Sequence, residues 1–216
     1  MQAGMTDTAI PVRISARHVH LCQRTINALF GRDYRLQPRA PLSQPGQFAC
    51  EETVALVGPE GRLSHVRVLG PPRSEDQIEI SRTDERTLGL DAPLRLSGDL
   101  LDSPGILIEG PAGRVYLDRG VVRALRHIHM SPADAERLEV HDHDVVQVAV
   151  QGGGRSLVFD DVVVRVAANY RLEFHLDSDE GNAAGVSDGA VGRLVPRHAS
   201  SGVWARYFAS RVARSR

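Results

Sequence analysis

The sequence lacks lysine altogether, since all 26 basic residues among its 216 positions are arginine. This absence excludes Schiff-base formation and any other chemistry that requires a lysine nucleophile. Cysteine is nearly absent too. Cys22 and Cys50 are too few for a disulfide framework and are typical of a protein from a reducing compartment.

Strong net charge, an apolar targeting segment and a long apolar run are missing as well. The formal net charge of -1 gives no reason to expect nucleic acid or an anionic membrane as a partner. No basic segment followed by an apolar one opens the chain, and no apolar run is long enough to span a bilayer. We therefore expect a cytoplasmic protein with one large domain or two small ones.

What the sequence does contain is many short alternating segments between Gly, Pro and Asp turns, a pattern typical of β-strands. Helical features are clear in two places. Residues 22–30 have apolar side chains at helical spacing, and Ser131-Pro132-Ala133-Asp134 begins a helix with a side-chain cap. We predict an all-β fold with short helices, of the barrel or sandwich type, rather than a doubly wound parallel sheet. Gly70-Pro71-Pro72-Arg73 is expected to break a strand.

One motif occurs twice in the chain. Arg17-His18-Val19-His20-Leu21 returns as Arg126-His127-Ile128-His129-Met130. On an extended chain, residues i and i+2 project to the same face, so each copy directs two imidazoles toward one point. A pair of histidines arranged in this way is half of a metal site. Two pairs predict either two metal sites or one site made by two halves.

The two halves can be overlaid beyond the histidine pairs. When residues 78–90 are aligned with residues 174–186, Glu79 falls opposite His175. The overlay gives each half a third ligand, so that the candidate sets are His18, His20 and Glu79, and His127, His129 and His175. Three protein ligands with an open position are typical of catalytic zinc, whereas structural zinc sites are closed and usually rich in cysteine. A catalytic metal is therefore favoured.

The remaining histidines and Cys22 are given plainer interpretations. His141-Asp142-His143 lies in a polar segment without the leading arginine, and we interpret it as a solvated turn, as we do His65 and His198. Cys22 lies two residues beyond His20 and could extend its ligand face, but a small buried hydrophobic role is favoured.

Arg73 stands just ahead of Glu79 on the Gly-Pro-Pro segment. A single arginine faces solvent by default, but a rigidly held guanidinium beside divalent cations is a natural bidentate partner for phosphate. Two polar clusters, residues 81–84 and 177–182, occupy equivalent ends of the halves. They are interpreted as turns or as ligand contacts.

Several motifs, taken in order, resemble the propanediol-utilisation-type phosphotransacylases, also called phosphate propanoyltransferases. The motifs are residues 14–21, 66–71, Arg73, 77–84, 126–131 and 175–185. The resemblance implies two small β-barrel domains related by an internal repeat, each capped by a short helix. It also implies that the N-terminal strand closes the C-terminal barrel. The implied parts are a flexible N-terminus at 1–10, a strand at 11–16 that completes the C-terminal barrel, a central β-barrel domain at 17–124, the C-terminal β-barrel domain at 125–195 and a tail at 196–216.

The resemblance also implies an activity, namely interconversion of propanoyl- or acetyl-CoA plus phosphate with acyl phosphate plus CoA by a homodimer with two zinc ions per chain. His18, His20 and Glu79 would hold one zinc, and His127, His129 and His175 the other. Arg73 would hold phosphate as the catalytic residue, and Ser15, Arg67 and Asn182 would contact CoA. One zinc could take the CoA thiolate while the other, with Arg73, orients phosphate for direct attack on the thioester.

Two further hypotheses concern other functions and the tail. A zinc-dependent thioester or phosphoester hydrolase is disfavoured because no aspartate follows either pair in a His-x-His-x-Asp order. A non-catalytic, shell-associated protein with structural zinc is the third class. In the tail, Trp204, Tyr207, Phe208 and Val212 fall at helical spacing, so residues 202–216 could form an amphipathic helix that docks on a shell protein of a bacterial microcompartment. The plainer alternative is a frayed or dimer-packed tail.

Overall fold

The computed structural model describes residues 9–151 and 154–195, and it divides the chain into two compact units. The described residues of one unit are 9–15, 126–151, 154–176 and 180–195, and those of the other are 16–125 and 177–179. Strands dominate both units, which confirms the predicted all-β class with short helices. Within the described ranges, no helix combines the length and the apolarity that crossing a membrane requires.

Fifteen strands and four helices follow one another in the described part of the chain. In order they are β1 (Ala9–Ser15), β2 (His18–Cys22), α1 (Gln23–Phe30), β3 (Pro38–Pro41), β4 (Phe48–Val57), β5 (Arg62–Arg73), β6 (Gln77–Glu79), α2 (Arg82–Leu88), β7 (Leu94–Arg95), β8 (Ile106–Glu109), β9 (Arg114–Leu117), β10 (Val121–Ala124), β11 (His127–Met130), α3 (Pro132–Arg137), β12 (Val145–Val150), β13 (Leu157–Val166), β14 (Glu173–Asp177), α4 (Ser178–Ala184) and β15 (Val191–Val195).

The first unit is a closed barrel of six strands in the order β1-β14-β11-β13-β12-β15. Side chains along β12 alternate between buried and half-buried positions, because successive residues of a strand point to opposite faces. The inward side chains, among them Ile10, Val148 and Phe174, are fully buried in one apolar core. The antiparallel pairing of β1 with β15 closes the barrel, so these two strands have no unpaired edge.

The second unit is built on a nine-stranded sheet that forms a half-barrel. Its order is β7-β10-β6-β2-β5-β4-β8-β9, and β3 pairs with β4. Val19, Val68 and Ile78 are fully buried on the inner face of this sheet. The helices α1 and α2 contribute Leu29 and Leu88 to the same core.

Each histidine strand lies between one parallel and one antiparallel neighbour. The strand β2 pairs in parallel with β5 and antiparallel with β6, and β11 pairs in the same way with β13 and β14. The register places His18 opposite Glu79 and His127 opposite His175. The two positions that the sequence overlay aligned therefore have the same place in their respective sheets.

The helix that follows each histidine strand begins at its predicted position, but the two helices are capped differently. Before α3, the Ser131 side chain accepts from the Asp134 N–H while the Asp134 carboxylate accepts from the Ser131 N–H, as the sequence predicts. Cys22 gives α1 no side-chain cap. Instead, the Asp76 carboxylate accepts hydrogen bonds from the Cys22 N–H and the Thr25 hydroxyl, each at 2.7 Å.

One sequence expectation was wrong. Gly70-Pro71-Pro72-Arg73 does not break a strand, because β5 runs through Arg73 and a β-bulge against β2 brings Arg73 opposite Cys22. The two polar clusters, for which turns and ligand contacts were both left open, belong largely to helices: residues 81–84 form the cap and first turn of α2, and the cluster at 177–182 is mostly α4. The predicted tail helix at 202–216 and most of the N-terminal segment 1–10 lie outside the described residues.

Candidate metal centres

The first candidate centre is formed by His18, His20 and Glu79, whose ligand atoms all lie within 4.8 Å of one another. His18 and His20 are on the same face of β2, and the register with β6 brings Glu79 across from His18. Both histidines are buried, and their ring centroids are 5.0 Å apart. Local strand geometry thus delivers three donors to one point, as the motif and the overlay predict.

The hydrogen bonds of His18 direct Nε2 toward Glu79. Its Nδ1 is 2.9 Å from the Ala16 carbonyl oxygen, which can only accept, so the ring proton is on Nδ1. The other nitrogen, Nε2, is 3.5 Å from Glu79 Oε2. Burial disfavours charge on the ring, but the Glu79 carboxylate outweighs burial and raises the pKa of His18 above its usual value. In the absence of an ion, Nε2 therefore holds a proton that faces the carboxylate, and a metal ion would displace it.

His20 fits a metal for a different reason. Its Nδ1 is buried and makes no hydrogen bond with the described residues. Burial and the neighbouring His18 lower the pKa of His20 to about 3. The imidazole is therefore neutral at physiological pH and keeps a lone pair, which is the form that binds metal ions.

Arg73 lies beside this centre, although it is distant from His18 and His20 in the sequence. A cavity of about 250 Å³ is lined by His20, Pro45, Gly46, Gln47, Gly70, Pro71 and Arg73. The positive field of Arg73 lowers the pKa of both His18 and His20, although burial and their other neighbours act more strongly. The predicted phosphate-binding arginine and a predicted metal ligand thus line the same cavity.

A hydrogen-bonded chain connects Arg73 to the carboxylate of this centre. The Arg73 guanidinium donates to Ser97 Oγ at 3.4 Å, and Gln77 Nε2 donates to the same oxygen at 2.9 Å. The same Gln77 amide donates to Glu79 Oε1 at 2.5 Å, while its own oxygen accepts from the Gly98 N–H at 2.8 Å. The Gln77 amide thus contacts the Glu79 carboxylate directly and the guanidinium through Ser97 Oγ.

The second candidate centre is formed by His127, His129 and His175, whose ligand atoms also lie within 4.8 Å of one another. His127 and His129 share a face of β11, and β14 brings His175 opposite His127. The rings of His127 and His175 are stacked with centroids 4.9 Å apart, and His129 is edge-on to both. Tyr170 packs on the His129 ring at 4.2 Å and covers it.

Two side chains contact the third histidine of this centre. Ser15 Oγ is 3.4 Å from His175 Nδ1, and Glu173 Oε2 is 3.0 Å from His175 Nε2. Ser15 was predicted from the resemblance to contact CoA, and the structure places it against a predicted metal ligand. Glu173 is buried and is not among the residues that the sequence singled out.

The arginine that precedes each histidine pair has a structural role. Arg17 makes an ion pair of 2.8 Å with Asp84 of α2, and Arg126 makes one of 3.1 Å with Glu180 of α4. In each half, therefore, the arginine that precedes the two histidines pairs with the helix that follows the third candidate ligand, α2 after Glu79 and α4 after His175. The arginine that begins each copy of the motif thus makes an equivalent ion pair.

Comparison with known proteins identifies the family. A model of the phosphate propanoyltransferase family matches residues 11–187. The chain belongs to this family. It is 52% identical over 189 residues to the phosphate propanoyltransferase of Thermotoga maritima, with 88% of this chain and 90% of that protein covered. The corresponding protein of Shewanella putrefaciens is 51% identical over 194 residues, with 89% of this chain and 92% of that protein covered. The predicted enzyme class, an acyltransferase, is confirmed.

Other residues predicted from the family resemblance are less closely tied to the two centres. The Arg67 guanidinium donates to the carbonyl oxygens of Cys50 and Glu51, and Asn182 is exposed on α4. His141 and His143 are exposed and contact neighbouring aspartates, in agreement with a polar turn. His198 lies outside the described residues.

Sequence reasoning missed Gln77, Ser97 and Glu173. The positions of Gln77 and Glu173 could have been found, because each lies two residues before a predicted third ligand and so shares its face of the strand. Ser97 had no such signal, since it lies in a loop that only the folded chain brings to Gln77.

Proposed function

We propose that this chain is a metal-dependent phosphotransacylase that interconverts propanoyl-CoA and phosphate with propanoyl phosphate and CoA. The observation that carries the proposal is the cavity in which Arg73 lies beside His20 of a His-His-Glu centre. A planar guanidinium matches two phosphate oxygens, and the half-buried Arg73 next to candidate metal ligands is suited to a small dianion. The names of the relatives support the propanoyl group and phosphate as substrates.

The residues of the cavity favour a direct transfer. An oxygen of phosphate attacks the thioester carbonyl carbon, the new C–O bond forms, the C–S bond breaks, and CoA leaves as the thiolate. Arg73 binds and orients the attacking phosphate and offsets charge that develops on the oxygens. Apart from His20, the described residues that line the cavity are glycine, proline, glutamine and arginine, and none of these is a nucleophile. An acyl-enzyme intermediate that accumulates in a kinetic burst would contradict direct attack.

We further propose that zinc is the metal at both centres. The imidazole and carboxylate donors suit zinc, and the buried Nδ1 of His20 and the neutral state of that ring fit a bound cation. When bound, the two ions would supply Lewis acidity at the thiol sulfur and at a phosphate oxygen, which lowers the pKa of the thiol and makes it a better leaving group. Purified protein that contains no zinc, or that holds another divalent ion in its place, would contradict this assignment.

The finer details of partners and location also belong to the proposal. Ser15, Arg67 and Asn182 are proposed to contact CoA, and the enzyme is proposed to act as a cytoplasmic homodimer. Residues 202–216 are proposed to dock on a microcompartment shell protein. Removing residues 202–216 should abolish co-localisation with such a shell, and unchanged co-localisation would exclude this role.

The decisive experiment measures thiol release from propanoyl-CoA with and without phosphate. Release that depends on phosphate, with propanoyl phosphate as the second product, is expected. Release in water alone would support a hydrolase instead, and no release by the metal-loaded protein would support a non-catalytic role. Parallel measurements with acetyl-CoA establish which acyl chain is preferred.

A further inference from the structure

Glu173 has a position that the proposed mechanism does not use. It lies on β14 directly opposite His129, and it shares a face of the strand with His175, two residues further on. Its side chain is buried, and its Oε2 is 3.0 Å from His175 Nε2. A carboxylate is costly to bury unless a positive charge or hydrogen bonds compensate it.

The contact between Glu173 and His175 does not have the geometry of a hydrogen bond. His175 Nε2 makes no hydrogen bond with the described residues, even though Glu173 Oε2 is 3.0 Å away. The carboxylate oxygen therefore lies away from the axis along which a ring N–H would donate. The ring nitrogen and the carboxylate oxygen lie side by side at this distance. Two ligand atoms that bind the same cation have this arrangement. Ser15 Oγ at 3.4 Å from Nδ1 provides a partner for the opposite nitrogen of the ring.

The other centre shows what this carboxylate replaces. Gln77 is in the position equivalent to Glu173, since it lies opposite His20 and two residues before the third ligand. There the third ligand, Glu79, carries the negative charge and the neutral Gln77 donates to it. In the barrel the third ligand, His175, is uncharged when it binds metal, and the residue before it is the carboxylate. In the half-barrel the carboxylate is at the third-ligand position and the neutral side chain is two residues earlier, whereas in the barrel this order is reversed.

Glu173 is also held from outside the centre. Arg13 Nε on β1 is 3.8 Å from Glu173 Oε1, and the Arg13 guanidinium donates to Asp188 at 2.5 Å. The carboxylate thus has Arg13 on one oxygen and His175 on the other. This arrangement fixes the oxygen that faces the histidines.

We infer that Glu173 is a fourth side chain of the three-histidine centre, where it contacts the bound divalent cation or holds His175 against it. In this role it gives the centre the single carboxylate that Glu79 gives the other centre. The inference rests on the proposed function only in that both need a metal ion at His127, His129 and His175. Glu173 is a positioning residue with respect to the acyl transfer itself.

The test is the zinc affinity of Glu173→Gln, measured by competition with a chromophoric chelator. A His20→Ala background isolates the three-histidine centre, so that only one ion is titrated. Loss of the carboxylate should weaken zinc binding about 10- to 100-fold, the usual effect of removing a group that supports a metal ligand. In the cobalt-substituted protein, the visible absorption of this centre should change as well.

Two further variants keep the result interpretable. Glu52→Gln removes another buried carboxylate, one that accepts from the Tyr34 hydroxyl and the Gln37 N–H, and it should leave the zinc affinity of this centre unchanged. Glu173→Asp keeps the charge on a shorter side chain and should recover part of the lost affinity.

The outcomes separate this inference from the proposed function. Wild-type protein that holds two ions while Glu173→Gln binds zinc as tightly as its parent would overturn the role of Glu173 alone. Equal weakening by Glu52→Gln would overturn it too, because the effect would then be general. Wild-type protein that binds no ion at either centre would overturn the metal-dependent function itself.

Discussion

The two units of this enzyme present the same strand arrangement around two different sets of ligands. In both, a His-x-His strand lies between a parallel and an antiparallel neighbour, and the third ligand is opposite the first histidine. One strand belongs to a closed barrel and the other to a half-barrel sheet. The frame that positions three donors is therefore independent of whether the sheet closes.

The difference between the centres lies in which position carries the carboxylate and in the surroundings. The half-barrel centre has Glu79 as its third candidate ligand, with Arg73 and a cavity beside it, whereas the barrel centre has three histidines, with Glu173 against His175 and Tyr170 on the His129 ring. A repeated backbone has thus been given two chemical environments by changes at a few positions. We expect the two centres to have different tasks, and each prediction below compares them.

The largest effect is expected from removing one histidine of either centre. His20→Ala and His129→Ala should each release one ion of two and reduce acyl transfer about a thousandfold or more, because a bound metal supplies several kcal/mol of charge stabilisation. Metal content by mass spectrometry and phosphate-dependent thiol release measure the two effects. The control is His141→Ala, since that side chain is exposed and outside both centres. If either ligand variant kept full activity, the two centres would not both be required.

The second-largest effect is expected at Arg73, which lies beside the half-barrel centre. Arg73→Ala should reduce kcat/KM for phosphate about 100- to 1000-fold, because a preorganised cationic donor is lost from the reacting group. Arg73→Lys keeps the charge but loses the planar fork, and it should recover only part of the rate.

Arg165 is the matched control in the barrel, where its guanidinium lies over the Tyr170 ring at 5.8 Å. Arg165→Ala should leave the KM for phosphate within about twofold, since a stacking contact is lost rather than a phosphate contact. Equal losses at the two arginines would contradict a phosphate site at the first centre.

The sequence was sufficient to predict the parts of these centres that depend on local spacing. Alternation along a strand places His18 with His20 and His127 with His129, and the repeat identifies Glu79 and His175. The Ser131 cap predicted α3 because its capping box is formed by residues three apart. Each of these features is encoded within a few residues.

Features that depend on distant partners could not be predicted in the same way. The residues of α2 are polar in the sequence and so give no apolar helical pattern, yet Asp84 and Glu85 are buried, where they pair with Arg17 and Arg123. Neither pairing is visible in the local pattern. In the same way, the prolines at 71 and 72 indicate a break, but the bulge against β2 allows β5 to continue. Gly70, Pro71 and Arg73 of this continued strand line the cavity.

The ion pairs behind the two motifs give the next comparison. Arg17→Ala leaves Asp84, whose side chain is 3% exposed, without its cation and should lower the free energy of unfolding by about 2 kcal/mol. Arg126→Ala affects the more exposed Glu180 and should cost about 1 kcal/mol or less. Urea unfolding of the metal-free protein measures both. The control is Arg32→Ala, because its pair with Asp33 is almost fully exposed. A larger loss for Arg126 than for Arg17 would reverse the proposed order.

The smallest effect concerns Cys22, which takes the place that Ser131 has in the barrel, two residues beyond the second histidine. Cys22→Ser should leave acyl transfer within about twofold, because the Cys22 side chain gives α1 no cap and a serine hydroxyl can replace the thiol as donor to Asp76.

Burial, followed by the Glu52 carboxylate, raises the pKa of Cys50 to about 12. At pH 8 only about one Cys50 thiol in ten thousand is then ionised, and reaction becomes faster as the pH approaches the pKa. The folded Cys22→Ser protein should therefore react with a disulfide reagent only after denaturation, whereas Cys50→Ser should keep whatever fast reaction the native protein shows. Fast modification of folded Cys22→Ser at pH 8 would contradict the buried environment of Cys50.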